Sequence, residues 1–165
     1  NGLHTNGYSL ARRVFLLEDD PSALDRTFPE LGMTLWDALM EPHRCYYPLL
    51  EPVLHLIKGM AHITGGGLSD NVPRMLPEGT AAEIERGSWT PPPIFTFLQH
   101  HGAVPDDDAF RTFNMGIGLI IVVDRKSLDS VWSVLATTEE KNAVLVGEII
   151  EGDQKVVYEE NGAIS

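Results

Sequence analysis

The feature that most constrains the fold is a run of three glycines between an apolar segment and a group of helix-capping residues. The run stands in His62-Ile63-Thr64-Gly65-Gly66-Gly67-Leu68, and Ser69-Asp70-Asn71 follows it. This order predicts a strand over 57–63, a glycine turn and a helix over 69–75. Glycine loses more backbone entropy on folding than any other residue. We therefore expect that the chain has these glycines because it needs positive φ there, or because another group approaches the backbone closely.

An anion is the ligand that suits this turn. Successive backbone N–H groups, together with the positive end of a helix, bind anions, and phosphate is the usual one. The alternative is a tight turn that is simply exposed to solvent. A second segment of the same character, residues 4–7, precedes an amphipathic helix predicted over 9–18. We predict that segments 4–7 and 64–67 face one cleft and together bind the phosphate of a substrate.

Length, charge and cysteine content limit the class of protein. The 165 residues predict a single domain over 1–165, and 43% hydrophobic residues suffice for a core. A net charge of -12 without a Lys/Arg block argues against nucleic-acid and anionic-membrane partners. The one cysteine, Cys45, excludes an internal disulfide and a cysteine-rich zinc site, so we expect a cytoplasmic protein. No apolar run approaches the roughly 18–20 residues that span a bilayer. Because the chain starts without Met and inside a motif-like segment, we expect a fragment.

The remaining strands are predicted from apolar runs and turn residues. Residues 117–123 include five β-branched residues and are apolar on both faces, which predicts an interior strand of a sheet. Another strand is predicted over 81–85. Two strands over 142–151 and 155–159, joined by a turn at 151–154, predict a hairpin.

Capping residues predict the other helices. Thr34 begins one that reaches residue 40, and Ser127 begins one near the end of the chain. A third helix is predicted over 94–101 and is expected to end at Gly102, since glycine is the usual left-handed cap. Residues 161–165 are expected to fray.

Three separated stretches carry a resemblance to a known family. The order and spacing of these stretches, over nearly the whole chain, resemble the C-terminal domain of aminoimidazole ribonucleotide (AIR) synthetase. The stretches are Gly2 to Leu10, Gly59 to Leu68 followed by Asn71, Pro73, Arg74, Leu76 and Pro77, and Arg111 to Gly118.

The resemblance implies a fold and an activity. The fold would be α/β (α+β), a three-layer α/β/α domain with a mixed sheet, partly ferredoxin-like. The activity would be that of a phosphoribosylformylglycinamidine cyclo-ligase, the ATP-dependent ring closure of formylglycinamidine ribonucleotide to AIR in purine synthesis. ATP and Mg²⁺ would bind mainly to an N-terminal domain that these 165 residues lack. The resemblance also implies a homodimer, and we expect the chain alone to be inactive.

The chain departs from the family pattern at three places. Where the family usually has Pro-Thr-basic-Ile-Tyr, this chain has Pro42-His43-Arg44-Cys45-Tyr46. Where Glu-Asn usually follows the glycines, Asp70-Asn71 stands here, and an acidic-Met-Tyr stretch is replaced by Asp108-Ala109-Phe110. None of these changes touches the glycine run itself.

Candidate binding residues come from the two segments and their flanks. An imidazole at His4 or His62 could meet a phosphate or an amide oxygen, or could satisfy the backbone of its own turn; the resemblance favours ligand contact. Asn6, Thr64 and Asn71 are donors suited to ribose or phosphate, although such residues are also common caps. We assign no catalytic base and no metal ligand. The predicted substrate-binding residues are His4, Thr5, Asn6, Gly7, His62, Thr64, Gly65, Gly66, Gly67 and Asn71.

Two other interpretations of the chain stay open. It could be a non-catalytic module that forms half of a cleft or a packing surface. It could instead belong to another ATP-dependent relative, of the selenophosphate synthetase or thiamine phosphate kinase type. Arg74 could likewise be a phosphate clamp or one partner of a surface ion pair.

Overall fold

The structure, a computed structural model, describes residues 1–138 and 143–159, and at Asn6 only the backbone. Short helices and strands alternate along these residues. They are α1 (Tyr8–Val14), β1 (Thr27–Phe28), β2 (Met33–Thr34), α2 (Leu35–Leu39), α3 (Tyr47–Leu50), β3 (Ile57–His62), α4 (Gly67–Asn71), β4 (Thr80–Glu85), α5 (Pro93–Gly102), α6 (Asp106–Thr112), β5 (Leu119–Val123), α7 (Leu128–Leu135), β6 (Gly147–Glu151) and β7 (Val156–Glu159).

The described residues form two compact units. Unit 1 comprises Asn1–His43, Ile63–Asn71 and Thr90–Gly118, and unit 2 comprises Arg44–His62, Val72–Trp89 and the described residues from 119 onward. A single domain over 1–165 stays a prediction. Within the described part of the chain, no helix has both the length and the apolar composition needed to cross a membrane.

Unit 1 is mainly helical and has an aromatic and aliphatic core. Phe95, Phe113, Leu35 and Ile63 are among its fully buried side chains. The predicted helix at 34–40 is confirmed as α2, and the Asp37 backbone N–H donates to Thr34 Oγ1 at 3.1 Å. Such an N-cap bond satisfies a backbone donor that the helix itself leaves unpaired.

The helix predicted over 94–101 is confirmed as α5, but its cap differs from the expectation. The left-handed residue is Ala103, with φ 49° and ψ 42°, and not Gly102. A Cβ atom on Gly102 would lie 3.1 Å from Val14 Cγ2. Gly102 is therefore explained by close packing of α5 on α1, a contact between elements that local capping rules do not describe.

Unit 2 contains two small sheets. In one, β3 pairs antiparallel with β5; in the other, β4 lies between β6, which is antiparallel to it, and β7, which is parallel. The α/β class and a mixed sheet are therefore confirmed, as are the predicted strands at 57–63 and 81–85.

The prediction that 117–123 forms an interior strand is wrong for the described residues, where β5 pairs with β3 alone. Leu119, Ile121 and Val123 pack against a buried cluster of Leu50, Val53, Val131 and Leu135. The residues between them, Ile120 and Val122, are half-buried as well. Burial of both faces thus explains the apolar run without a strand on each edge.

The predicted hairpin is also wrong, because β4 separates its two strands. The connection between β6 and β7 crosses the start of β4, where Gly152 N–H donates to Gly79 O at 3.0 Å and Gln154 N–H donates to Thr80 O at 2.7 Å. A Cβ atom on Gly152 would lie 2.5 Å from Ala81 Cβ. Turn residues indicate that the chain reverses, but not that the two strands exchange hydrogen bonds. Asn142, the predicted start of the first of these strands, and residues 161–165, which are expected to fray, lie outside the described residues.

Candidate functional site

The glycine turn has the backbone geometry that the sequence predicts. The Gly67 N–H donates to Thr64 O at 3.1 Å, which closes a four-residue turn. Gly66 has φ 90° and Gly67 has φ 59°. Side chains with a Cβ atom are strained in this left-handed region, so the expectation of positive φ is confirmed at both residues.

The turn is also approached closely, by the backbone of the chain itself. A Cβ atom on Gly67 would lie 2.2 Å from Phe110 O and 2.8 Å from Phe113 O, at the end of α6. Gly66 faces a side chain instead, since a Cβ atom there would lie 2.3 Å from Asp70 Oδ2. A phosphate at Gly66 would have to replace this exposed carboxylate, because two anions repel each other at such a distance.

Asn71 holds the turn from inside. Its side chain is 4% exposed, and its Nδ2 donates to Gly65 O at 3.1 Å and to Gly67 O at 2.7 Å. Its Oδ1 accepts from Thr64 Oγ1 at 3.4 Å. Both amide hydrogens therefore bind the turn, and contact between Asn71 and a substrate stays a prediction.

The N-terminal segment packs its glycine in a similar way. Residues Thr5–Gly7 form one turn of 3₁₀ helix that leads into α1. A Cβ atom on Gly7 would overlap Leu3 Cδ2 at 1.9 Å and lie 3.3 Å from Phe113 Cε1. Thr5 is exposed. The side chain of Asn6 lies outside the described part of the structure.

His4 is a buried member of this segment. Its ring is 4% exposed and stacks on His43, with centroids 4.0 Å apart and an interplanar angle of 30°. The imidazole ring of His4 can act as a hydrogen-bond donor or acceptor, depending on its tautomer.

Asn114 is a residue of this region that sequence reasoning did not assign. It is 2% exposed; its Nδ2 donates to Gly2 O at 3.0 Å, and its Oδ1 accepts from the Gly116 N–H at 2.7 Å. The signal for it was a polar residue between the apolar Phe113 and Met115, two positions before Gly116. Such a residue is buried only when its amide finds partners.

Most of the predicted site residues belong to unit 1. Segments 2–7 and 64–71 both pack against Phe113, one through Gly7 and the other through Gly67. A common cleft for the two segments stays a prediction. His62 and Arg74 belong to unit 2: His62 is the exposed last residue of β3, and Arg74 lies exposed in the 3₁₀ turn Val72–Met75.

Comparison with known proteins identifies a family and several similar enzymes. The family described as AIR synthase related protein, C-terminal domain, matches residues 1–159. The phosphoribosylformylglycinamidine cyclo-ligase of Caldicellulosiruptor bescii is 43% identical over 162 residues, which cover 95% of this chain and 46% of that enzyme. Enzymes of the same name from Thermoanaerobacter sp. and Bacillus subtilis are each 46% identical over 158 residues, which cover 95% and 93% of this chain and 46% and 44% of those enzymes. The chain thus spans a little under half the length of the curated relatives it matches.

Proposed function

The chain belongs to the family of AIR synthase related protein C-terminal domains, and from this premise we propose that it acts as part of a phosphoribosylformylglycinamidine cyclo-ligase. The observation that carries the proposal is an identity of 43–46% to enzymes of that name along nearly the whole chain. The substrate would be formylglycinamidine ribonucleotide, and the product would be AIR, an intermediate of purine synthesis.

The proposed reaction is a ring closure driven by ATP. Phosphoryl transfer from ATP to the formyl oxygen of the substrate creates a leaving group. The amidine nitrogen then attacks the same carbon, and inorganic phosphate departs. Positioning and electrostatic stabilisation can carry such a step. The contribution of this chain would be to hold the ribonucleotide while the ring closes.

Segments 4–7 and 64–67 are the residues that we assign to the phosphate of the ribonucleotide. In the structure the Thr64 hydroxyl donates to Asn71 Oδ1 at 3.4 Å, so the donors counted here are the backbone N–H groups, the Thr5 hydroxyl and the His4 imidazole. These donors suit a phosphate. Mg²⁺ prefers oxygen ligands, with carboxylates first among side chains, and Asp70 is a carboxylate beside Gly66. As the family resemblance implies, we place ATP and Mg²⁺ mainly on residues outside this chain.

The partners that we propose follow from the same assignment. They are an ATP-binding domain and a second copy of the enzyme in a homodimer, acting in the cytoplasm. The net charge of -12 supports small phosphorylated ligands over nucleic acid, because a small ligand needs only local donors.

Product analysis with the intact enzyme tests the proposal. Purified enzyme containing these residues should convert formylglycinamidine ribonucleotide and ATP to AIR, ADP and phosphate, as followed by mass spectrometry. The same enzyme should leave selenide and thiamine monophosphate unchanged under identical conditions. Phosphorylation of either compound, without formation of AIR, would assign the chain to another member of the superfamily. ATP-independent binding without turnover of any of the three would favour a non-catalytic module.

A further inference from the structure

Among the described side chains of unit 1, Asn71 and Asn114 are buried asparagines, and both lie against the segments assigned to the phosphate. Asn71 is 4% exposed and Asn114 is 2% exposed. Burial of an amide is unfavourable unless its polar atoms find partners. In both residues the side-chain nitrogen and oxygen are hydrogen bonded within the unit.

Asn71 joins the two ends of the glycine turn. Its Nδ2 reaches the carbonyl oxygens of Gly65 and Gly67, and its Oδ1 accepts from the Thr64 hydroxyl. These bonds fix the carbonyl groups on the inner side of the turn. Since a peptide unit is planar, fixing a carbonyl group also fixes the direction of the N–H group that follows it.

Asn114 joins the N-terminal segment to the chain that follows α6. Its Nδ2 binds Gly2 O, 112 positions earlier in the sequence, while its Oδ1 holds the Gly116 N–H. The two residues after Asn114, Met115 and Gly116, have φ values of 50° and 94°. A buried methionine in the left-handed region is strained, so the surrounding structure must hold this backbone in place.

Both segments lie against the same piece of chain. Gly67 lies under the carbonyl oxygens of Phe110 and Phe113, and Asn114 directly follows Phe113. Gly7 packs on the Phe113 ring. The end of α6 is therefore the common support of both segments.

We propose that Asn71 and Asn114 are positioning residues: Asn71 fixes the shape of segment 64–67, and Asn114 ties Gly2, just before segment 4–7, to the chain after α6, so that both segments can bind one phosphate. This inference rests on the proposed function and deepens it. Asn71 thus acts through the turn instead of touching the substrate. A displacement of about 1 Å in a positioned group can lower a rate about 100-fold.

The test uses the intact enzyme with Asn114→Asp and Asn71→Asp. Asp keeps the shape and the acceptor but lacks the Nδ2 donor. Gln154→Glu is the control for the exchange of amide for carboxylate, because Gln154 Nε2 donates to Leu76 O at 2.8 Å and both residues belong to unit 2. We expect each Asn variant to raise KM for the ribonucleotide at least tenfold while KM for ATP stays within twofold. Gln154→Glu removes the same kind of donor at an exposed residue and should change neither KM.

Two results would overturn the inference. One is a wild-type KM for the ribonucleotide in both Asn variants; the other is an equal rise in the Gln154→Glu enzyme, since that would mark general destabilisation. If Asn114→Asp does not fold, Asn114→Ser keeps an acceptor for the Gly116 N–H and is measured in its place. If the wild-type enzyme makes no AIR, the proposed function fails. The positioning role is then judged by calorimetric binding of inorganic phosphate, which the variants should weaken at least tenfold and which unchanged binding would contradict.

Discussion

At the scale of single residues, Gly67 combines two independent constraints. Its φ of 59° disfavours any side chain, and the Phe110 and Phe113 carbonyl oxygens occupy the space that a Cβ atom would need. Gly32 separates these effects, because its φ is 67° but nothing lies within 4 Å of an added Cβ atom. The two glycines therefore share the backbone strain and differ only in the packing.

We predict that Gly67→Ala lowers the free energy of unfolding by about 2–5 kcal/mol, the sum of roughly 1–2 kcal/mol of strain and about 1–3 kcal/mol of overpacking. Gly32→Ala should cost only the strain, roughly 1–2 kcal/mol. Urea unfolding of the two variants measures the difference through their midpoints. Equal losses would mean that the α6 carbonyl groups move away at little cost.

Gly66→Val tests anion binding at the turn. Valine is strained at φ 90°, and a Cβ atom there would lie 2.3 Å from Asp70 Oδ2, so we expect the turn to shift. Binding of inorganic phosphate should then fall at least about tenfold, the loss of one charge-assisted hydrogen bond. Isothermal titration calorimetry measures the affinity. Gly32→Val is the control for strain at positive φ alone, because nothing lies within 4 Å of a Cβ atom on Gly32. Phosphate affinity that survives Gly66→Val would disprove a shared phosphate site at this turn.

At the scale of elements, the helix caps show which local signals become hydrogen bonds. Thr34 and Ser127 both occupy the position before a helix, as the sequence predicts. Thr34 Oγ1 accepts from the Asp37 N–H, whereas the Ser127 side chain makes no capping bond to α7. The same residue class at the same position therefore contributes differently to stability.

Replacing these two caps by alanine should give unequal results. Thr34→Ala is expected to destabilise the protein by about 1 kcal/mol, the usual value of an N-cap bond. Ser127→Ala is expected to stay within about 0.5 kcal/mol of the wild type. Thermal unfolding followed by circular dichroism compares them. A larger loss for Ser127→Ala would show that its hydroxyl caps α7 in solution.

At the scale of the whole molecule, the isolated chain is expected to fold without catalysing the reaction. Each unit has buried apolar residues of its own, whereas the ATP-binding residues are assigned outside this chain. We predict that the isolated 165-residue chain unfolds cooperatively but does not hydrolyse ATP. Denaturant titration tests the cooperative unfolding, and a phosphate-release assay tests the lack of ATP hydrolysis, with the intact enzyme measured alongside. Steady ATP-dependent product formation by the isolated chain would contradict the assignment.

What the sequence by itself determined are features that depend on neighbouring residues. The positive φ values of Gly66 and Gly67, the Thr34 cap and the strands before the glycine run and at 81–85 follow from rules that act over a few positions. The family of the chain was likewise readable from its spaced motifs. Each of the local features arises from residues that lie within a few positions of one another in the sequence.

Only the tertiary structure decided which distant segments meet. The separation of β6 and β7 by β4, the pairing of β5 with one strand and the bond from Asn114 to Gly2 all join residues far apart in the chain. Gly67 depends on both local sequence and tertiary structure. Its turn is predicted from neighbouring residues, but the backbone carbonyl groups that lie against it belong to the end of α6. Apolar runs indicate that a segment is buried, and turn residues indicate that the chain reverses. Many different strand pairings are compatible with the same pattern. The pairing is selected by how the buried surfaces and hydrogen-bonding groups of the whole chain can be satisfied together.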